Sequence, residues 1–441
     1  MSHLEKAKTM TSLHPLGLLN NFRDDPLMFL DEMRTSAEDL VSFRFANRRV
    51  HLLLNPELIK EVLVTKAASF QKSKQFQELH PLLGEGLLTS EGPKHREQRK
   101  LIQPFFTHRH IENYINDMID VTEKAIGNMS EHETRNVSKD MMEVTLAIIS
   151  KTMFAMDIEE GHEKVGKPLE VAMETATKRI RSFIKLPLSF PSKEIKDYVH
   201  AINQLKDVVE NVITTRESQK ERYPDLLDAL IHAKSDEGEG MPREQLQDEL
   251  MTLTLAGHET TANLLTWCLY ALAKNEGAKR KLYREIDRVL GTKRITSDDL
   301  PRLTYTKQVL QEALRLYPPA WMFGRIAIED ESIGDYSVKK GENILVSPYV
   351  MHQKIEYFEE PLAFKPERFL EKQPPYAYFP FGGGPRVCIG NHFALQEATI
   401  ILAMLVQKFD VCLDPGSGEP DFEPLITLRP KNGLFLRMVE R

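Results

Sequence analysis

The 441-residue sequence predicts a mainly α-helical protein with small β-sheets contributed from both ends of the chain. Three observations carry this reading. Apolar residues recur at helical spacing from about Pro93 to Tyr317 with only short breaks. Strand-like patterns occur at about 40–55, 325–350 and 405–441. No Pro/Gly/Ser-rich or low-complexity stretch and no internal repeat divides the chain. The expectation is therefore a single domain over 1–441, although this length would accommodate about three average domains.

Composition narrows the function classes. Apolar residues make up 41% and charged residues 28%, enough for a large core and against disorder as the dominant state. Lys and Arg number 58 against 65 Asp and Glu, and the formal charge of −7 favours neither nucleic acid nor an anionic membrane as partner. The three cysteines, Cys268, Cys388 and Cys412, are too few for a disulfide framework and too far apart for a four-thiolate zinc site. The longest apolar stretch, Ala398 to Val406, is far too short to span a bilayer. The start, Met1-Ser2-His3-Leu4-Glu5-Lys6, shows neither a signal-peptide core nor an anchor, so a soluble, cytoplasmic protein is expected.

The elements follow in order. Val41, Phe43 and Phe45, then Val50, Leu52 and Leu54, alternate around Asn47-Arg48 and predict a strand pair. Asn55-Pro56 opens a helix, with Asn as N-cap and Pro at the first helical position. Gly92-Pro93 starts the helical body, which reaches about residue 317. A long apolar helix lies at about Leu246 to Lys274, and the acidic stretch Ser235 to Gly240 before it reads as a surface loop. Beyond Arg325, Ile326 and Ile328 lead towards a turn near Gly334, and Lys340-Gly341 precedes the run Ile344-Leu345-Val346. A last hairpin is expected over Leu425 to Met438, with Asn432-Gly433 as its turn.

One segment stands out for its chemistry: Phe381-Gly382-Gly383-Gly384-Pro385-Arg386-Val387-Cys388-Ile389-Gly390-Asn391-His392. Three glycines and a proline before a cysteine describe a tight loop, and Phe393 onward reads as helix. A thiolate at such a helix entrance can accept backbone N–H bonds, feels the positive end of the helix dipole, and is suited to holding a metal. Taken alone, the same residues also suit a buried cysteine in a Gly-rich turn. His392 does not complete a zinc site, since two ligands are too few.

The spacing Phe-Gly-x-Gly-x-Arg-x-Cys-x-Gly resembles the haem-ligand loop of the cytochrome P450 family, and three further segments agree in order. Glu312-Ala313-Leu314-Arg315 places two charges on one helical face; alone it would suit a surface ion pair. The resemblance pairs it with Arg368 of Pro366-Glu367-Arg368-Phe369 as a buried structural network of Glu312, Arg315 and Arg368. Ala256-Gly257-His258-Glu259-Thr260-Thr261 is a polar cluster in the long helix, where Thr260 can bond the Ala256 carbonyl and loosen the helix. Its residues alone also suit a back-bonded Thr and a solvated Glu. A zinc-protease reading fails, because Ala262 stands where a second His is required. Lastly, His95 and Arg99 share one helical face, and Arg325 and Arg386 add two cations for haem propionates, which need cationic partners where buried. The family often has Trp where this chain has His95.

The resemblance implies the P450 fold, with haem between the long central helix and the helix after the cysteine loop. It implies one haem b, bound without covalent attachment (no Cys-x-x-Cys-His occurs), with Cys388 as axial ligand and O2 as co-substrate. Phe381, Gly390 and Ala256 join the cofactor site, and Glu259 and Thr260 supply protons through water. The activity implied is insertion of one oxygen atom into a lipophilic substrate such as a fatty acid, terpenoid or polyketide, the other atom leaving as water. Trp321, Met322, Phe323, Leu87, Leu88 and Leu425 to Leu428 are expected near it. No flavin or dinucleotide segment fits in the chain, so a separate ferredoxin or flavodoxin with its NAD(P)H-dependent reductase is expected. Lys94, Arg96 and Lys100 are the suggested docking patch. A peroxide-driven peroxygenase, a haem-thiolate isomerase and a non-catalytic haem sensor are the competing readings. The Glu259-Thr260 pair favours the monooxygenase.

Overall fold

Helices dominate because the apolar spacing of the middle of the chain leaves most of them a stripe to bury, and the central one buried nearly all round. The structure is a computed structural model that describes residues 8–12, 14–129, 133–155, 161–182, 185–219, 221–223, 225–233 and 240–441. The first six residues, and all of the acidic stretch 235–240 except Gly240, lie outside them. The longer helices are α1 (Gly92–Ile102), α2 (Ile115–Gly127), α3 (Val137–Phe154), α4 (Lys167–Arg181), α5 (Lys193–Ser218), α6 (Arg243–Lys274), α7 (Glu276–Val289), α8 (Thr304–Leu316) and α9 (Asn391–Lys408). The strands are β1 (Lys8–Thr9), β2 (Leu40–Phe45), β3 (Arg48–Leu53), β4 (Phe70–Lys72), β5 (Glu133–Asn136), β6 (Phe323–Ala327), β7 (Glu331–Ile333), β8 (Tyr336–Val338), β9 (Asn343–Val346), β10 (Phe409–Leu413), β11 (Phe422–Pro424), β12 (Leu428–Pro430) and β13 (Phe435–Glu440). Among the described residues no helix is long and apolar enough to cross a membrane.

The chain divides into two units, one of residues up to 76 with 311–388, the other of 77–310 with 389–441. The first unit is built on a sheet of order β1-β2-β3-β9-β6-β4. The β2–β3 hairpin turns at Ala46-Asn47, one residue earlier than its composition suggests: Arg48 pairs with Phe45, and Ala46 takes a φ of 53°. The Ala46 N–H donates to the Leu16 carbonyl at 2.9 Å, which fixes this bend. Helix Pro56–Lys60 follows with the expected cap, Asn55 Oδ1 accepting from the Glu57 N–H at 2.8 Å. Its Ile59, with Val62 and Leu63 beyond it, packs against Leu40, Leu53, Ile344 and Val346 of the sheet.

In the second unit α6 is buried nearly all round from Leu250 to Ala273, so it behaves as a core element rather than an amphipathic surface helix. Gly257 lets α3 approach closely, since a Cβ there would meet Ile149 Cδ1 at 2.6 Å. The hairpin expected across Asn432-Gly433 is not formed. Those two residues do turn, with φ of 62° and 79°, but β12 pairs with β11, whereas β13 joins β10 and β5. Pro430 lacks the N–H that a strand continuing into such a ladder would need. Strand β5 lies inside the helical stretch, and its Glu133-Thr134-Arg135-Asn136 offers no alternation to read.

Candidate functional site

In the first unit the cysteine loop is held by backbone geometry that only glycine satisfies. Gly382 and Gly384 have φ of 72° and 63°. A Cβ on Gly384 would lie 1.8 Å from the Leu63 carbonyl oxygen, so the loop is seated directly on the backbone of that segment. The Cys388 N–H donates to the Phe381 carbonyl at 2.9 Å and closes the loop. Cys388 is left exposed, with Phe381 and Arg386 partly buried beside it in sequence. On β6, Arg325 donates to the Gly324 carbonyl at 3.0 Å and stacks over the Phe323 ring.

The same unit brings Glu312, Arg315 and Arg368 together. Arg315 Nε and Nη2 each reach one Glu312 oxygen at 2.7 Å, and Arg368 Nε donates to Glu312 Oε1 at 3.1 Å. The remaining Arg315 donors go to the carbonyls of His352, Pro361 and Ala363. Glu312 and Arg315 are both completely buried. His352 Nε2 in turn accepts from the Phe379 N–H at 2.9 Å, and burial beside Arg315 pushes this imidazole down to about 3.

In the second unit, α6 carries the polar cluster without breaking. Thr260 Oγ1 donates to the Ala256 carbonyl at 2.8 Å, as its spacing suggests, yet the helix stays α-helical throughout rather than loosening. A second hydroxyl, Thr145 of α3, donates to the His258 carbonyl at 3.1 Å. Ala256 is exposed and Thr260 partly so, one turn apart in the stretch Leu250 to Ala273 that is otherwise largely buried. Together they form an open, small-residue face. Gly390, the N-cap residue of α9, and Ala256 carry no side chain that would crowd a cofactor. On α1, His95 is buried and Arg99 partly buried on one face, while Arg96 and Lys100 point outward and Lys94 pairs with Glu85.

Glu259 is not on the open face. Its Oε1 accepts from Thr427 Oγ1 at 2.6 Å, and Thr427 accepts from Asn263 Nδ2 at 3.1 Å. Glu259 Oε2 is buried with no hydrogen-bond partner among the described residues. Burial raises the Glu259 carboxyl above its ordinary range, opposed by the Thr427 bond and by Arg429.

Sequence reasoning missed several of these groups. Thr427 was hidden in the run Leu425 to Leu428, read as apolar; its single hydroxyl was the signal. Glu249 of α6 accepts from the Leu87 N–H at 2.9 Å, and burial pushes it up to about 7. Glu397 is wholly buried on α9, where burial raises it well above the carboxyl range. A lone acid directly before the apolar run of that helix was visible in the sequence.

The cysteine loop, taken by itself, fits a haem-thiolate group, since Cys388 is exposed on a loop shaped by glycine. The cations Arg325 and Arg386 belong to the same unit as that loop. The Ala256–Thr260 face and the pair His95 and Arg99 are features of the other unit. The family model for cytochrome P450 matches residues 10–437. The chain is 34% identical to cyclooctatin synthase of Streptomyces melanosporofaciens over 89% of this chain and 87% of that one. It is 32% identical to the cyclooctat-9-en-7-ol 5-monooxygenase of the same organism, over 89% and 86%. To cytochrome P450 4V2 of Mus musculus it is 30% identical, over 86% and 78%. With a match over nearly its whole length and a chemically suited loop, the chain belongs to the cytochrome P450 monooxygenase family.

Proposed function

We propose that the chain binds one haem b non-covalently through the Cys388 thiolate. With O2 it would insert one oxygen atom into a lipophilic substrate, taking electrons from a separate ferredoxin or flavodoxin and its NAD(P)H-dependent reductase. The observation that supports this most is the cysteine loop, whose Gly384 leaves no room for a side chain and whose Cys388 remains exposed just before the entrance of α9. Thiolate-ligated haem, when bound, supplies the activation of dioxygen.

The chain's own residues have separate tasks. The cations Arg325 and Arg386 of the first unit, and His95 and Arg99 of the second, are each suited to a carboxylate, which is costly to bury unpaired. Ala256 adds little bulk. The Thr260 hydroxyl spends its proton on the Ala256 carbonyl, so its oxygen is oriented to accept from a water. Glu259, buried and raised, keeps a proton to deliver to that water. Arg96 and Lys100 are the outward cations for an acidic electron donor, since Lys94 is engaged by Glu85. Leu87, Leu88 and the leucines of 425–428 suit an apolar substrate. One relative's name specifies cyclooctat-9-en-7-ol, so a carbocyclic alkenol is the first class to try.

The carbon monoxide difference spectrum of the reduced protein tests the reading. The long-wavelength Soret band of thiolate-ligated haem is expected for wild type and should vanish in Cys388→Ala; folded protein that takes up no haem would overturn it. NADPH with surrogate partners against hydrogen peroxide alone separates a monooxygenase from a peroxygenase.

A further inference from the structure

Glu259 is oriented by a chain of donors that leaves little freedom. Asn263 lies one turn beyond it on α6 and donates its amide to Thr427 Oγ1 at 3.1 Å. A hydroxyl has one proton, and here it points at Glu259 Oε1, 2.6 Å away. In this arrangement Oε1 is the acceptor. When Glu259 is neutral its proton must sit on Oε2, the oxygen without a hydrogen-bond partner among the described residues.

The surrounding charges favour that neutral form. Arg429 of β12 is the cation facing Glu259, but its Nε donates to Glu423 at 2.7 Å and its Nη2 to Glu174 at 3.0 Å, and Nη1 lies 3.4 Å from Glu170. One guanidinium thus serves Glu423 of the hairpin and Glu170 and Glu174 of α4, and only indirectly Glu259. His258, the neighbour on α6, is buried and held neutral, its imidazole pushed down to about 4 by burial. The hairpin itself is anchored: Trp267 Nε1 donates to the Leu428 carbonyl at 3.1 Å, and Arg181 of α4 donates to the Pro424 carbonyl.

We propose that Thr427 is a positioning residue that parks Glu259 in the interior with its proton on Oε2, and that proton supply to the water at Thr260 requires this hydroxyl bond to break. The proposal rests on the reading of Glu259 as proton source. On release Glu259 changes rotamer, its Oε2–H bond breaks as water takes the proton, and the carboxylate left behind regains a proton from solvent. Thr427 returns the carboxyl to its parked position.

The test uses the ferric holoenzyme and the infrared carbonyl band of protonated Glu259, identified by its absence in Glu259→Gln. In Thr427→Val, nearly the same shape, the band should move to higher frequency because the carbonyl loses its donor. Its titration midpoint should rise by about one unit, a tenfold tighter hold on the proton. Thr427→Ser should restore both. In turnover, Thr427→Val should change the peroxide formed per NADPH about threefold or more, with Ser again near wild type. An unshifted band in Thr427→Val overturns the positioning role whatever the turnover shows. Wild-type coupling in Glu259→Gln overturns the proton-source reading and the release step with it, and the band distinguishes that failure because it reports the bond independently.

Discussion

Two buried glutamates, Glu312 and Glu259, sit on helices of the two units and do opposite work. Glu312 receives four bonds, two from Arg315, one from Arg368 and one from the Lys365 N–H at 2.8 Å. Arg315 in turn uses all five of its N–H donors, on Glu312 and three carbonyls. Glu259 receives a single hydroxyl, and Arg429, the cation whose charge acts on it, is committed to three other carboxylates. Burial alone therefore does not define a glutamate's role. Donor count does: a carboxylate met by two cations locks surrounding loops in place, whereas one left short of donors holds a proton instead.

The largest effect expected from this contrast is on stability. Glu312→Gln strands Arg315 and Arg368 in the interior and should cost about 3–5 kcal/mol in urea unfolding. Arg315→Lys should not be mild, because an ammonium cannot reproduce the forked contacts. A loss below about 1 kcal/mol in Glu312→Gln would mean the network does not hold that unit together.

The next effect is in pH dependence, and its sign differs between the units. Glu249, raised to about 7 from 4.5, binds its proton more tightly when folded. Its contribution is fully present below the ordinary carboxyl range and is lost as pH rises through about 7. Wild type should lose on the order of 3 kcal/mol relative to Glu249→Gln between those limits. His352, lowered from 6.5 to about 3, does the reverse: its stability is full above 6.5 and is lost as pH falls towards 3. His352→Gln, which retains an acceptor for the Phe379 N–H, should flatten the acid limb. Denaturant midpoints across the pH range check both, and parallel curves for variants and wild type would remove the contrast.

The smallest change in stability should accompany Glu259→Gln. Its amide oxygen can still accept from Thr427, so unfolding should shift by about 1 kcal/mol or less. Product formed per NADPH should nevertheless fall about tenfold or more, since general acid–base groups contribute at least that. A large stability loss with unchanged coupling would make Glu259 a second Glu312.

Much of the site was legible because its parts are local. The cysteine loop runs through eight residues from Phe381, the Thr260 bond spans one turn, and Glu312 and Arg315 share a face of α8. The N-cap at Asn55 is likewise an adjacent-residue effect. The expected hairpin at Asn432-Gly433 shows the limit of this reasoning. The turn is where the two residues put it, but whether flanking strands pair across it is decided by other strands competing for their edges.

By itself, then, the sequence determined the family, the helical body, the glycine-shaped loop and the charged face of α8, all carried by contacts within a few residues. The tertiary structure alone decided that β3 lies parallel to β9 from nearly 300 residues away, that Glu249 would hold the Leu87 N–H, and that Thr427 would reach Glu259 across 168 positions. Such contacts leave no period or spacing in the chain. They arise only when packing brings a hydroxyl and a carboxyl together out of water, where each hydrogen bond counts for more than it would in solvent.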